Sequence, residues 1–428
     1  MIKINAKNKG SVVLGSVALL IATGTAQGAG FQLKEQSAEG QGNSFAGQTA
    51  KAVDASTIFY NPAGMILIEG NHLQTNLSHI APGAKYSHKS STAISPLFSK
   101  NSGIDGGVSA LVPAAYALWD YNQQIKLGIS VNAPFGLSTK FDEDWIGAQY
   151  NVFSEIKTIN IAPSAAYRVN EKLSVGGNLQ FQKIEGKLTN KNVVGVGADA
   201  LTTLKADDTG FGYALGFLYQ YSDKGRIGFN YRSQIKHTLK GDVSTPTVPA
   251  AVNLNFNAKA AVTMPAVASL GIYHQVSEQW TLLGDVAWTD WSVFKELQVV
   301  NTDTNTDVAN PTQYNWDDTL FVALGANYQY SDNLQLKFGV AYDQGAANDE
   351  DRTAGIPDAS RYWASLGASY KLNKNTQLNI GYSHIQTQTA KISEDSKLNS
   401  PVSGLGSKYE GSFKPKVSIV SLGLDYQF

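Results

Sequence analysis

Alternation places six charged residues on the inward side of their segments: Arg232, Lys236, Asp285, Lys337, Asp343 and Arg361. If that side lines an enclosed space, these groups meet whatever polar atom a ligand brings. Arginine suits a carboxylate best, because its planar fork donates two parallel hydrogen bonds. Arg361 therefore heads the candidates. Asp343 stands at a similar height on the preceding segment, so an Arg361–Asp343 ion pair that only braces the wall is the competing reading. A second set is apolar. Phe135, Leu137, Phe141, Trp145 and Ile146 crowd one loop beside Asp142, Glu143 and Asp144. Such a cluster marks either a binding surface or packing against neighbouring loops. At its start, Pro134 and Gly136 interrupt the run Asn132-Ala133-Pro134-Phe135-Gly136. Proline cannot donate to a ladder and glycine loosens one, so the run predicts a gap or kink in a sheet, or the plain end of a strand. Catalysis finds little support. The six histidines (72, 79, 88, 237, 274 and 384) are scattered, and no H-E-x-x-H, G-x-S-x-G or P-loop motif occurs. The chain has 0 cysteines, which removes thiolate nucleophiles and thiolate metal sites. No catalytic residue, metal ligand set or cofactor is assigned.

These residues need a scaffold, and composition narrows it. Of 428 residues, 43% are hydrophobic and only 16% charged, against about 25% charged in ordinary soluble domains. Seven Trp, 20 Tyr and 17 Phe with a net charge of -1 argue against disorder and against nucleic-acid binding, which needs a basic excess. No apolar run reaches the ~18 residues of a membrane helix. Lys3, Lys7 and Lys9, then the apolar stretch from Val12 to Ala22, then Ala26 and Gly28 follow the order of a secretory signal peptide. Cleavage is expected between Gly28 and Ala29, making residues 1–28 a leader on an exported bacterial envelope protein.

Downstream the dominant signal is period two. Phe211, Tyr213, Leu215, Phe217, Tyr219 and Tyr221 alternate with mostly small residues, and the chain ends with Val420, Leu422, Leu424, Tyr426 and Phe428 in the same rhythm. Each stretch runs ~10 residues, the length a tilted strand needs to cross a bilayer. Six connections are short and polar, beginning at Asp120, Asn170, Ser222, Ser277, Ser331 and Asn373. Seven are long: 84–107, 135–152, 188–208, 238–258, 299–315, 344–359 and 390–414. Short and long alternate, which predicts fourteen strands with short turns on the periplasmic side. Trp119, Tyr121, Tyr167, Tyr219, Tyr221, Tyr273, Tyr328, Tyr330, Tyr370, Tyr426 and Phe428 lie near the short turns and predict an aromatic girdle. In lipid a sheet must close, so residues 71–428 are expected to form one antiparallel transmembrane β-barrel in the bacterial outer membrane, an all-β fold and a monomer. Residues 29–70 precede the first strand, near His72. A lumen this wide has room for a plug, and this segment is the predicted hatch.

Here the sequence resembles a known family. Ala29-Gly30-Phe31-Gln32-Leu33 is similar to the mature N-terminus of FadL-type outer-membrane transporters of long-chain fatty acids, and Asn61-Pro62-Ala63 to their hatch motif. Gly136 to Phe141, Tyr231-Arg232-Ser233, Trp288 to Ser292 and Ile356 to Arg361 resemble further blocks, so the likeness spans the mature chain. The closing Phe428 resembles the last-strand signal of outer-membrane barrels, read by the barrel-assembly machinery. The resemblance implies passive, substrate-gated uptake of a long-chain fatty acid or another hydrophobic small molecule. In such proteins extracellular loops capture the cargo, a lumenal pocket binds it, the hatch moves, and the cargo leaves sideways through the wall near a kinked third strand into outer-membrane lipid. Pro134 and Gly136 match the lateral gap. Phe31 matches an aromatic that touches the lipid tail, with simple lumenal packing as its alternative. Arg361 would hold the fatty-acid carboxylate, while the loop set at 135, 137, 141, 145 and 146 would form the capture groove. Uptake of aromatic or other uncharged hydrocarbons is the alternative, since such cargo needs no cation.

Overall fold

The computed structural model of the chain describes residues 29–92, 100–195, 198–245, 255–395 and 408–428; the expected leader lies outside the described residues. The strands are β1 (His72–Thr92), β2 (Ala110–Asp120), β3 (Ile125–Asn132, resumed at Gly136–Lys140), β4 (Phe153–Arg168) and β5 (Leu173–Gly195). They continue as β6 (Ala198–Ser222), β7 (Gly225–Arg232 and Ile235–Ser244), β8 (Phe256–Met264 and Val267–Gln275), β9 (Trp280–Thr289) and β10 (Thr319–Gln329). The last are β11 (Leu334–Asp343), β12 (Arg361–Lys371), β13 (Thr376–Thr387 and Ala390–Asp395) and β14 (Lys408–Gln427). Each pairs antiparallel with the next, and β14 returns to β1 from His72↔Gln427 to Thr92↔Lys408, closing a fourteen-stranded barrel.

The short turns form where side chains cap the backbone. Asn122 Oδ1 accepts from the N–H groups of Gln124 and Ile125 at 2.8 Å, and Asn170 Oδ1 accepts from Lys172 and Leu173 at 2.9 Å. Ser277 and Asn373 close later turns the same way. These are the Asx and Ser turns that short polar residues favour. Outward residues such as Leu215, Phe217, Leu270 and Leu324 are exposed, as a lipid-facing surface requires, whereas the inward positions are polar or small.

Three features differ from the period-two expectation. The β5–β6 hairpin runs on to Gly195↔Ala198, so most of the expected 188–208 loop is ladder. Backbone pairing needs no membrane, and beyond Thr209 the outward residues turn polar, which hides the strand from an apolar period. Lys236 is exposed rather than inward, because β7 breaks at Ser233–Gln234 and resumes in the opposite phase, with Ile235 buried. Tyr273 faces inward, its ring beneath the Arg226 guanidinium at 3.8 Å, instead of joining the girdle.

Residues 29–70 fill the lumen. The segment holds α1 (Ala38–Gln41), α2 (Gln48–Lys51), α3 (Thr57–Tyr60) and a 3-10 turn over Pro62–Leu67. Its backbone lies directly on the inner wall because glycine stands there. A Cβ on Gly339 would sit 2.0 Å from the Asn43 carbonyl carbon, so no larger residue fits without moving the hatch.

Candidate functional site

Asn61-Pro62-Ala63 is the hatch's fixing point. Asn61 Nδ2 donates to Thr49 O at 2.7 Å and to Phe217 O on β6 at 2.9 Å. Its Oδ1 accepts from Ala63 N–H and caps the 3-10 turn, whose first position Pro62 fills at no cost in donors. Wall cations grip hatch carbonyls in turn. Arg226 donates to Ala50 O at 2.8 Å, Arg232 to Phe59 O at 2.7 Å, Arg168 to Ile66 O at 3.1 Å and Lys126 to Ile68 O at 2.9 Å. Glu39 pairs with Lys51 at 2.6 Å and with Lys337 on β11, a buried triad inside the lumen. Arg232 and Lys337, inward as expected, thus serve the hatch.

Phe31 sits in a cage of rings. It is fully buried, with Trp291 at 4.8 Å, Phe294 at 5.5 Å, Trp316 at 5.7 Å and Phe135 at 6.1 Å between centroids. Leu137, Ile235 and Met264 belong to the same cluster. The break in β3 lies against it. There the hatch supplies the backbone partners that a neighbouring strand would have given. Leu33 N–H donates to Pro134 O at 2.8 Å, and Gly136 N–H donates to Phe31 O at 2.9 Å. Gln36 completes the seal, donating to Ala133 O at 2.8 Å and accepting from Ala133 N–H at 3.2 Å. On the other side the β2–β3 ladder stops at Ala115↔Val131, so Ala110–Ala114 of β2 face the break without a β3 partner. Pro134 and Gly136 are therefore brought together with Phe31 at one aperture stopped by the hatch.

The apolar loop set divides. Phe135 and Leu137 join the Phe31 cluster. Phe141, Trp145 and Ile146 pack in a separate extracellular cluster with Tyr86, Tyr409 and Phe413. All five are at most 5% exposed. Phe141 and Trp145 stack at 4.4 Å, and Trp145 Nε1 donates to Asn151 O at 2.7 Å.

Arg361 is buried between two carboxylates. Its Nε lies 3.5 Å from Asp343 Oδ2, and its Nη2 pairs with Asp358. Asp358 also accepts from the N–H groups of Ala346 and Ala347, and Asp343 from that of Ala29. The geometry matches the bracing alternative more closely than a waiting carboxylate receptor.

A different cation faces empty space. Lys34 lines a lumenal cavity of about 60 Å³ with Phe59, Arg232, Asp285 and Phe321. Its Nζ lies 4.1 Å from the centre of the Phe321 ring, and among the described residues it has no carboxylate within 4.0 Å. Burial pushes its pKa down, opposed by the fields of Asp343 and Asp285. Inspection of alternation misses Lys34, because the hatch has no period. Its only sequence signal is its place next to Ala29-Gly30-Phe31-Gln32-Leu33.

Among the described residues no cluster of His, Asp and Glu could hold a metal. His237 meets Asp208 at 3.2 Å, but its other nitrogen meets Gln182 at 3.1 Å, where a hydrolase would need a serine.

Comparison with known proteins agrees with this architecture. The family model described as outer membrane protein transport protein (OMPP1/FadL/TodX) matches residues 19–428. The chain is 30% identical to the 47 kDa outer membrane protein of Pasteurella multocida, covering 92% of this chain and 96% of that one. It is 28% identical to the long-chain fatty acid transport protein of Salmonella typhi, covering 89% and 92%. Among solved structures, a FadL homologue of Pseudomonas aeruginosa superposes with a TM-score of 0.85 at 23% identity, covering 94% of this chain and 100% of that one. The toluene transporter of Ralstonia pickettii gives 0.68 at 18% identity, with 94% and 99% covered.

Proposed function

The chain belongs to the OMPP1/FadL/TodX family of outer-membrane transporters of hydrophobic compounds, and from that premise we propose that its cargo is a long-chain fatty acid. The observation that carries this is Lys34. A cation beside an apolar lumenal cluster, held by a ring face and, among the described residues, by no carboxylate within 4.0 Å, suits an amphiphile with one anionic end. The acyl chain would lie among Phe31, Phe135 and Leu137. The resemblance to long-chain fatty acid transport proteins supports the same choice.

The route follows from where the seals are. Cargo first meets the extracellular cluster of Phe141, Trp145 and Ile146, whose rings must part to admit it. It then reaches the Phe31 cluster, where it competes for the space that Phe31 and Leu33 occupy. A ligand shifts an equilibrium only by its differential affinity for the two states. Binding that displaces Phe31 and Leu33 withdraws the backbone partners from Pro134 and Gly136, and the aperture between β2 and β3 opens sideways. The step is passive, driven by the cargo's own partition into lipid.

A second reading is uptake of an uncharged hydrocarbon. The neutralisation of Arg361 by Asp343 and Asp358, and the aromatic-rich apolar cage around Phe31, favour it. Direct binding separates the two. Purified protein should bind oleate, and Lys34→Gln should lose about tenfold to hundredfold of that affinity, the ~1.5–3 kcal/mol of a charge-assisted hydrogen bond. Toluene binding should be unchanged by the substitution. Tight toluene binding with none of oleate would transfer the proposal to hydrocarbons.

A further inference from the structure

The wall is broken a second time, on the side away from β3. The first piece of β7, Gly225–Arg232, is 8 residues long, like the first piece of β3, Ile125–Asn132, so both breaks stand at one height above the periplasmic turns. β8 breaks opposite β7: Arg232 faces Val267, Ile235 faces Met264, and Ser233–Gln234 and Pro265–Ala266 fall between. Towards β6 the seam opens further. The ladder ends at Ala214↔Arg232, Ser233 N–H still donates to Tyr213 O at 2.9 Å, and pairing resumes only at Asp207↔Lys240, so among the described residues no backbone rung to β7 spans Asp208–Gly212. The change of phase that turns Lys236 outward occurs at this point.

The seam's inner face is apolar, whereas its outer groove mixes aromatic rings with Ser233, Gln234 and Asp290. On the outside a groove of about 480 Å³ opens between Phe211, Tyr213, Tyr231, Gln234 and Ala266, and the first two rings are exposed where lipid would lie. On the inside, Ile235 and Met264 belong to the cluster that encloses Phe31. Between the two lies one layer of side chain. Ile235 covers the bare backbone of Gly212, so closely that a Cβ there would meet Ile235 Cγ1 at 2.7 Å. Backbone without partners at membrane depth is tolerated where it is buried in protein or lines a cavity, and this seam does the second. At β3 the hatch backbone fills the break. At β7 one backbone hydrogen bond, from Ser233 N–H to Tyr213 O, holds the lower edge, and above it rotatable side chains, Ile235 foremost, cover the gap.

We propose that the β6–β7 seam is a second lateral passage for apolar cargo, joining the Phe31 cluster to the lipid-facing groove with Ile235 as its gate. The inference rests on the family's transport of hydrophobic compounds and holds for either cargo class. Its level, where outward apolar residues give way to Thr209 and Asp207, places the groove at the outer leaflet, and its cover is Ile235 of the wall rather than hatch backbone.

The chain's lack of cysteine makes the test clean. A Cβ at Gly212 would lie 2.9 Å from Ser233 Oγ, within reach of a disulfide after Gly212→Cys with Ser233→Cys. With the β3 aperture blocked by Gly136→Ile, oxidation of the pair in proteoliposomes should slow the remaining entry of both oleate and toluene by about tenfold, and reductant should restore it. Full entry with the disulfide formed would overturn the passage while leaving the cargo reading intact. If parent and reduced variant admit neither compound, the cargo reading itself falls, and the passage with it. A second variant covers failure of the pair to fold. Ile235→Cys should react with a bilayer-dissolved maleimide about tenfold faster than Met65→Cys, which is buried in the hatch. Equal, slow labelling at both positions would also overturn the proposal.

Discussion

Arg361 and Lys34 illustrate how the same charge takes different roles by virtue of its neighbours. Arg361 has Asp343 and Asp358 against it, all three nearly inaccessible. Removing one member of a buried ion pair strands the other, at a cost of about 3–5 kcal/mol. Arg361→Ala and Asp343→Ala should therefore both lower the barrel's melting temperature and leave the ratio of oleate to toluene affinity unchanged, by thermal unfolding and equilibrium binding. A selective loss of oleate binding in Arg361→Ala would return the carboxylate to that site. Lys34 behaves oppositely. Its pKa is pushed down by burial, so it loses its proton at a lower pH than an ordinary lysine. Carboxylate affinity needs the protonated form and should decline as pH rises into that lowered range, while toluene affinity stays flat. A flat oleate profile across the alkaline range would remove Lys34 from the site.

At the scale of elements, the legible part of the fold is what repeats. Period-two runs and Asn- or Ser-capped turns gave fourteen strands because every strand must present one face to lipid. The breaks are less legible. Pro134 and Gly136 announce the one in β3, since neither residue suits a ladder. Ser233–Gln234 carries no such mark, so unbroken alternation puts Lys236 inward where the structure turns it outward. Pro265 was a usable signal opposite it. The hatch was legible as a segment but not in its contacts, because Phe31, Leu33 and Gln36 meet β3 through backbone geometry that no local pattern encodes. Those contacts have a magnitude. Four hydrogen bonds tie the hatch to Ala133, Pro134 and Gly136. At about 0.5–1.5 kcal/mol net each, releasing them costs roughly 2–6 kcal/mol, within what a bound acyl chain can supply. Bulk at the aperture should block what that energy opens. A Cβ at Gly136 would lie 3.0 Å from Leu33 Cδ1, so Gly136→Ile fills the space through which cargo must turn. Uptake by cells carrying this variant should fall while heat-modifiable migration shows a folded barrel. Normal uptake in the folded variant would disprove lateral exit at β3.

For the molecule as a whole, the question is whether hatch and wall are one structure or two. The wall closes without help: β1 and β14 pair from His72↔Gln427 to Thr92↔Lys408, and every seam joins strand to strand. Among the described residues the hatch contributes no rung except at the β3 break. Its other anchors are polar groups of the wall, among them Arg226, Arg232, Asp285 and Lys337. With the hatch gone these would face water rather than apolar core, and a hydrated charge carries little of the penalty of a buried orphan. Deleting residues 29–70 while keeping residues 1–28 should therefore leave a barrel that assembles. A fourteen-stranded wall encloses more than side chains can fill, whereas eight strands are filled by theirs. The emptied lumen should conduct ions, so planar bilayers should show larger and less selective steps for the deletion than for the parent. Oleate should no longer bind, because Phe31 and Lys34 leave with the hatch. Conductance equal to that of the parent would mean that extracellular loops, not residues 29–70, close the channel, and the gating role given to Phe31 and Leu33 would fail with it.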